Sequence, residues 1–509
     1  MNARLTMPRW AFLPSAAGLM VVWAVLSNML QTAGQHYGGM AVTLTIFVLL
    51  GALALESLVP ELSVRVKWLL MLGLMVKITL SLWYFDSFFV TRMGGDSVTI
   101  KAYGDSYIHH KVAVMLMNHW SKELINPIVA SHLSGQFVEQ WGYSFFLSLL
   151  YSVTGPMPET GIIANGLLGF LTCLLGYKLF LLAGLSRPQA FAGLLILFLS
   201  PILWLWGSLL YKDSLLYLIV VTCTVLILRL FDNFQPWRLV ALVVLLLVLI
   251  PIRYSFTIPL VVLLTFGSFY FRPLNVRYAF ALFAIGCLTL SLLNWSMNYF
   301  NIHHETAGVS SEIVQPKPAG GSSEVVSLKS VGQHFVTNIV EAAAGIMESK
   351  PTGGRFMESI IGSQPTWTNF MYVLPARAFY ILMIPMPWFG GQSVQEQIDY
   401  VLSHVDAVFY FSLIAAMALL TFNRGRIPIS RTRYLLLGMG LLYFAVPLFF
   451  FSPARRYVSI SVPFFLAYAM PYLLHKRKAA YSVGVALGVI FTIQFFYYFA
   501  LNGMLVDTS

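Results

Sequence analysis

Along almost the whole chain, apolar runs follow one another with only short polar breaks between them. They fall at 12–30, 40–58, 66–85, 142–154, 161–183, 189–210, 214–231, 238–252, 254–271, 278–295, 401–422, 434–452, 457–474 and 480–501. Most approach the roughly 20 residues that cross a hydrocarbon core as a helix. The run at 142–154 is the shortest. The segment 370–390 is apolar but broken by Pro375, Arg377, Pro385 and Pro387, which suits a re-entrant or interfacial path. The pattern predicts an all-α polytopic membrane protein with about 12–14 transmembrane helices. It forms one integral membrane unit over residues 1–509.

Two polar stretches interrupt the runs, at 86–141 and 296–369. The second contains Pro316-Lys317-Pro318-Ala319-Gly320-Gly321-Ser322-Ser323, a flexible linker by composition, and Val331 to Met347, with helical spacing. Lysine and arginine near span ends set orientation. Arg4 and Arg9 put the N-terminus inside, before a first span read as retained rather than cleaved. Arg65 and Lys67, Arg238, Arg272 and Arg277, Arg424 to Arg433, and His475-Lys476-Arg477-Lys478 mark further inside loops. These assignments are mutually consistent if 142–154 and 370–390 cross only in part. Both polar stretches, Lys212-Asp213 and Arg455-Arg456 then lie outside.

Composition adds the solvent. Only 10% of the residues are charged and 58% are hydrophobic, where a soluble domain carries about 25% charged. The net charge of +11 belongs to orientation and gives no reason to expect nucleic acid. Cys173, Cys223 and Cys287 lie inside apolar runs, with neither disulfide nor metal spacing.

Candidate chemistry concentrates first in Gly94 to Lys111, where Asp96, Asp105, Tyr103, Tyr107, His109, His110 and Lys111 crowd together. From Tyr107 the spacing of Ile108, Val112, Met115 and Leu116 predicts a short amphipathic helix. Asp105 then stands at its start, where the helix dipole favours a carboxylate able to act as a general base. Asp96 is the second candidate. Lys212-Asp213 sits between two apolar runs, either as an ion pair or as a substrate contact, since ionisable groups at membrane depth are expensive. Arg253 beside Pro251 either snorkels to the interface or faces a polar cavity. Arg455 and Arg456, with Tyr457, follow Pro453 at an outer span end, against the usual charge bias; their guanidinium forks suit either a lipid headgroup or a bound phosphate. His303-His304-Glu305 and His334 with Glu341 do not have the spacing of a tight metal-ligand set.

Gly104-Asp105-Ser106-Tyr107-Ile108-His109 resembles the first outer loop of lipid-carrier-dependent glycosyltransferases of the C-type membrane fold, which include protein O-mannosyltransferases and aminoarabinose transferases. The resemblance runs on through Trp141-Gly142-Tyr143-Ser144, Ser200-Pro201 to Trp206, Leu210-Tyr211-Lys212-Asp213-Ser214, Ile252-Arg253-Tyr254, Pro385-Met386-Pro387-Trp388 and Arg456-Tyr457 before Pro463. It covers residues 90 to 500 through short, degenerate motifs. The spans at 12–58 and the lack of an Asp-x-Asp or Asp-Glu pair depart from some branches.

The resemblance implies sugar transfer from a polyprenyl phosphate to a glycan, lipid or protein acceptor. The reaction would take place on the outer, periplasmic face of a bacterial inner membrane. Asp105 maps to the base, and Tyr107, His109, Lys212, Asp213, Arg253, Arg455, Arg456 and Tyr457 to substrate binding. No resident cofactor is implied, and use of a divalent metal stays open. Two other classes compete. A polysaccharide polymerase or ligase would centre its chemistry on 296–369. A transporter or flippase of lipid-linked sugars would call for mid-span charges and paired broken helices.

Overall fold

The computed structural model describes residues 37–85, 104–119, 141–200, 210–271, 394–422, 429–450 and 459–474, with residues 482 and 485 singly. The spans expected at 12–30 and 278–295, the broken segment 370–390, most of 480–501 and the polar stretch 296–369 lie outside the described residues. Every described element is helical, and no strand occurs among the described residues. In chain order the helices are α1 (Tyr37–Leu58), α2 (Val64–Tyr84), α3 (Gly104–His119), α4 (Trp141–Thr154), α5 (Pro158–Leu182) and α6 (Arg187–Leu199). They continue as α7 (Asp213–Asp232), α8 (Pro236–Arg253), α9 (Thr257–Phe271), α10 (Val394–Phe422), α11 (Arg431–Phe450) and α12 (Val462–Leu473). Short 3-10 turns, Tyr254–Phe256 and Ser459–Ser461, precede α9 and α12.

Four of these helices are long and apolar enough to cross a membrane: Val64–Trp83, Pro158–Leu182, Asp213–Asp232 and Pro236–Arg253. The chain is thus an all-α, membrane-embedded protein. Its outward faces show why. On α2, Leu69, Leu72, Val76, Leu80 and Trp83 are exposed, and on α8 so are Trp237, Val240, Val244, Leu247 and Val248. Steps of three and four residues place each set on one helix face. Apolar stripes of this extent suit lipid rather than water.

Helix α5 is the hub, packed against α1, α2, α6 and α7 and touching α4 and α12. It is mostly apolar, and its buried residues run from Thr160 to Phe180. Small residues let its neighbours approach closely. A Cβ on Gly166 would stand 2.9 Å from Ile78 of α2, and one on Gly176 2.6 Å from Leu197 of α6. Helix α4 has 14 residues, about 21 Å of helix at 1.5 Å per residue, short of a core about 30 Å thick.

Three expected boundaries move. The run 189–210 does not continue as one helix: α6 stops at Leu199, and Ser200 is extended at ψ 119°. Pro201 clashes with a helical residue before it, so the chain must leave the helix there. The outer helix starts at Gly104 rather than Tyr107, and α10 starts at Val394 rather than 401.

The bundle has two unlike ends. At one, Glu61 pairs with Lys178 at 3.5 Å and Lys67 with Glu56 at 2.7 Å. There Ser430 Oγ donates to the Ala183 carbonyl, and a Cβ on Gly267 would touch both Phe231 and Leu435. The ends of α5, α7 and α9 and the starts of α2, α6, α8 and α11 therefore share that end, with Arg65, Arg187, Arg229, Arg238 and Arg431 among them. At the other end Phe85, Ala113, Tyr143, Leu147, Tyr151, Ile162, Leu210 and Tyr211 form a second apolar cluster. This cluster joins α3 to the starts of α5 and α7.

Candidate functional site

The second end gathers buried polar side chains that are far apart in sequence. Helix α3 lies along α4. Its buried stripe is Ser106, His109, Val112 and Ala113, with His110 half-buried. Expected on that face were Ile108, Val112, Met115 and Leu116; of these, Met115 and Leu116 are only half-buried. The contact is polar because the opposing face of α4 presents hydroxyls. His109 Nδ1 is 3.0 Å from Ser144 Oγ, and His110 Nδ1 is 3.0 Å from Tyr151 Oη. His109 also meets the Tyr143 ring edge-on at 5.1 Å. Burial holds the His110 pKa below the ordinary histidine value.

From α4 the network passes into the bundle. Asn165 of α5 donates through Nδ2 to Tyr143 Oη at 2.8 Å and to the Tyr211 carbonyl at 3.1 Å. Tyr211 leads directly into Lys212 and Asp213, which open α7. Lys212 is 3% exposed and Asp213 1% exposed. Both Asp213 carboxylate oxygens lack a hydrogen-bond partner among the described residues, and the carboxylate lies within electrostatic reach of Tyr143.

Arg253 reaches the same end through a backbone contact. A Cβ on Gly142 would stand 2.9 Å from the Pro251 carbonyl carbon and 3.0 Å from the Ile252 nitrogen. The start of α4 and the end of α8 therefore touch main chain to main chain. Arg253 is buried, 4% exposed. Ser255 and Thr257 follow it, fully buried, and Ser459 and Ser461 are likewise buried in the turn before α12. The 3-10 turns that carry Ser255 and the Ser459–Ser461 run both pack on α11.

Of the residues singled out from sequence, His109, Lys212, Asp213 and Arg253 thus come together at one end of the bundle. Asp105 and Tyr107 lie in the first turn of α3, which docks there; their side chains are outside the described residues. Asp96, Arg455, Arg456 and Tyr457 also lie outside the described residues. Tyr143, Ser144 and Asn165, which connect the assembly, carry no charge and sit inside apolar runs. The available signal was Asn165 itself, an amide within the apolar run 161–183, where polar side chains commonly bind neighbouring helices. Among the described residues no group of three or more His, Cys, Asp or Glu side chains could hold a metal ion.

The arrangement offers a carboxylate, a lysine, an arginine and several hydroxyls in a setting where water is scarce. Such a site can bind a polar ligand carried on a lipid and stabilise charge that develops on it. In comparisons with known proteins, no family model, curated protein or solved structure matches the chain.

Proposed function

We propose that the protein is a membrane glycosyltransferase that moves a sugar from a polyprenyl-phosphate carrier to an acceptor hydroxyl at the polar end of the bundle. The reading rests on one observation: His109, Lys212, Asp213 and Arg253, from three separate helical regions, are buried together at the end where α3 begins with Asp105. Ionisable groups are costly at membrane depth and are kept there for function. The opposite end holds most of the described arginines, so by the charge bias of membrane proteins the polar end faces outward.

In the proposed reaction Asp105 takes the proton of the acceptor hydroxyl. The acceptor oxygen bonds to the anomeric carbon as the bond from that carbon to the carrier phosphate oxygen breaks. The phosphate leaves with the electron pair, its charge balanced by Arg253 and Lys212, with Arg456 as a further candidate from the sequence. A single displacement inverts the anomeric centre, as in other one-step glycosyl transfers. Asp96, Arg455 and Tyr457 remain candidate partners on sequence grounds. A polysaccharide polymerase would centre on 296–369, which lies outside the described residues; a lipid-sugar flippase would call for mid-span charges and paired broken helices, and of these the described residues show the buried Lys77 of α2.

The test is donor consumption. Purified full-length protein in liposomes, given a radiolabelled hexosyl polyprenyl phosphate and a membrane glycan extract, is expected to release free polyprenyl phosphate and to label the extract. Transbilayer movement of intact donor without cleavage would instead make the protein a flippase.

A further inference from the structure

The link between Asn165 and Tyr143 fixes more than packing. The Tyr211 carbonyl can only accept, so the Asn165 atom facing it at 3.1 Å must be the amide nitrogen. That same nitrogen is 2.8 Å from Tyr143 Oη. The Tyr143 oxygen is therefore an acceptor from Asn165, and its own hydrogen points elsewhere. No acceptor for that hydrogen lies among the described residues, although the ring is fully buried. The same Asn165 nitrogen holds the Tyr211 carbonyl, and two residues beyond it stands Asp213, also buried, with two acceptor oxygens and no donor among the described residues. A buried donor and a buried acceptor thus stand near each other, each without the other's hydrogen bond. Leaving either unsatisfied is expensive at low dielectric.

A single water would bridge the pair when no ligand is bound; among ligand groups the chemistry that satisfies both is narrow. An ammonium group donates to Asp213 but cannot accept from Tyr143. A phosphate accepts from Tyr143 but is repelled by the Asp213 carboxylate. A hydroxyl does both at once, donating one hydrogen and accepting another. We infer that Tyr143 and Asp213 form a recognition site for one ligand hydroxyl, with Asn165 setting the direction of the phenol and a sugar ring supplying the hydroxyl. The site deepens the glycosyltransferase reading, on which it rests only for the choice of sugar. Neither residue moves a proton in the transfer: they select which sugar is held, and where its ring lies relative to the phosphate bound by Arg253 and Lys212.

The experiment measures binding, not turnover, to the full-length protein in nanodiscs. The probes are a hexosyl polyprenyl phosphate and a phosphate-free octyl hexoside, each with its series of monodeoxy analogues. In the wild type, removal of one particular hydroxyl is expected to weaken binding roughly 10- to 100-fold, the loss of one hydrogen bond to a charged group. In Tyr143→Phe, where the hydroxyl keeps Asp213, and in Asp213→Asn, where it keeps only a neutral acceptor, the penalty for that analogue should shrink several-fold without vanishing, while the other analogues behave as in wild type. The same pattern with the octyl hexoside alone keeps the hydroxyl site and removes the polyprenyl donor. Equal binding of all analogues of both probes overturns the site, as does a loss that persists unchanged in both variants. Melting temperatures measured on the same samples separate a lost contact from a damaged fold, and Asp213→Asn, which preserves side-chain shape, decides if Tyr143→Phe is unstable.

Discussion

The two histidines of α3 show how single side chains hold the outer helix. Each imidazole meets an α4 hydroxyl at 3.0 Å, and His110 is the more accessible of the two. Its pKa is lowered by burial, so the docked state binds the proton less well than an exposed histidine does. The sign follows from linkage: the docking contribution is complete above the ordinary histidine value of about 6.5 and is lost as the pH falls from there towards the depressed value. Lys111, exposed beside His110, and Tyr151, which feels Glu159, are the other ionisable groups at this contact. Hydrogen–deuterium exchange of the α3 amides between Val112 and Met117 should be faster at pH 5.5 than at pH 7.5. His110→Phe should remove the difference; exchange that ignores pH in the wild type would contradict this account of docking.

At the scale of elements, the contact between α4 and α8 sets where Arg253 stands. A Cβ on Gly142 would meet Ile252 Cγ1 and also the backbone of Pro251 and Ile252, so a rotamer change alone cannot absorb an added methyl. Gly142→Ala should cost about 1–3 kcal/mol, the usual cost of overpacking, and lower the melting temperature. It should also weaken lipid-phosphate binding, because α8 is pushed away with Arg253. Gly438, in α11, whose Cβ would meet nothing within 4 Å, is the control: Gly438→Ala should leave lipid-phosphate binding unchanged and raise the melting temperature slightly, since alanine favours helix over glycine. Equal effects of the two substitutions would show that the α4–α8 contact does not position Arg253.

The elements were largely legible in the sequence, because lipid-facing helices announce themselves through length and hydropathy. The runs 66–85, 161–183, 214–231 and 238–252 correspond to α2, α5, α7 and α8 within a few residues. Less legible was which side chains are buried. Of the apolar face read for α3, Val112 is buried while Met115 and Leu116 are half-buried; the rest of the described buried stripe is polar, since α4 offers hydroxyls and imidazoles can bond them. Tyr143 and Ser144 are visible only as part of a motif, and Asn165 not at all, because uncharged polar residues hardly disturb a hydropathy window. Lys77 escaped too, though a lysine within an apolar run was visible: it is buried at 2% exposure in α2 beside Gly169 of α5. Asp213 and Arg253 stood out because charge in such runs is conspicuous. Their placement at one end follows from α7 and α8 being consecutive helices that run in opposite directions.

For the whole molecule, the account comes down to an asymmetric bundle. One end carries the basic loops and two ion pairs, and the other a buried polar assembly with α3 laid across it. Asp105 stands in the first turn of that helix, and the proposed chemistry depends on its carboxylate taking a proton. The most direct measurement is therefore the initial rate of sugar release from a hexosyl polyprenyl phosphate in liposomes, for wild type and Asp105→Asn side by side at matched protein amounts. Loss of a general base costs about 10²–10⁴-fold. The account predicts a fall of that size, with donor binding and melting temperature kept. Wild-type rates in Asp105→Asn, or no sugar release by the wild type with any acceptor extract, would contradict it.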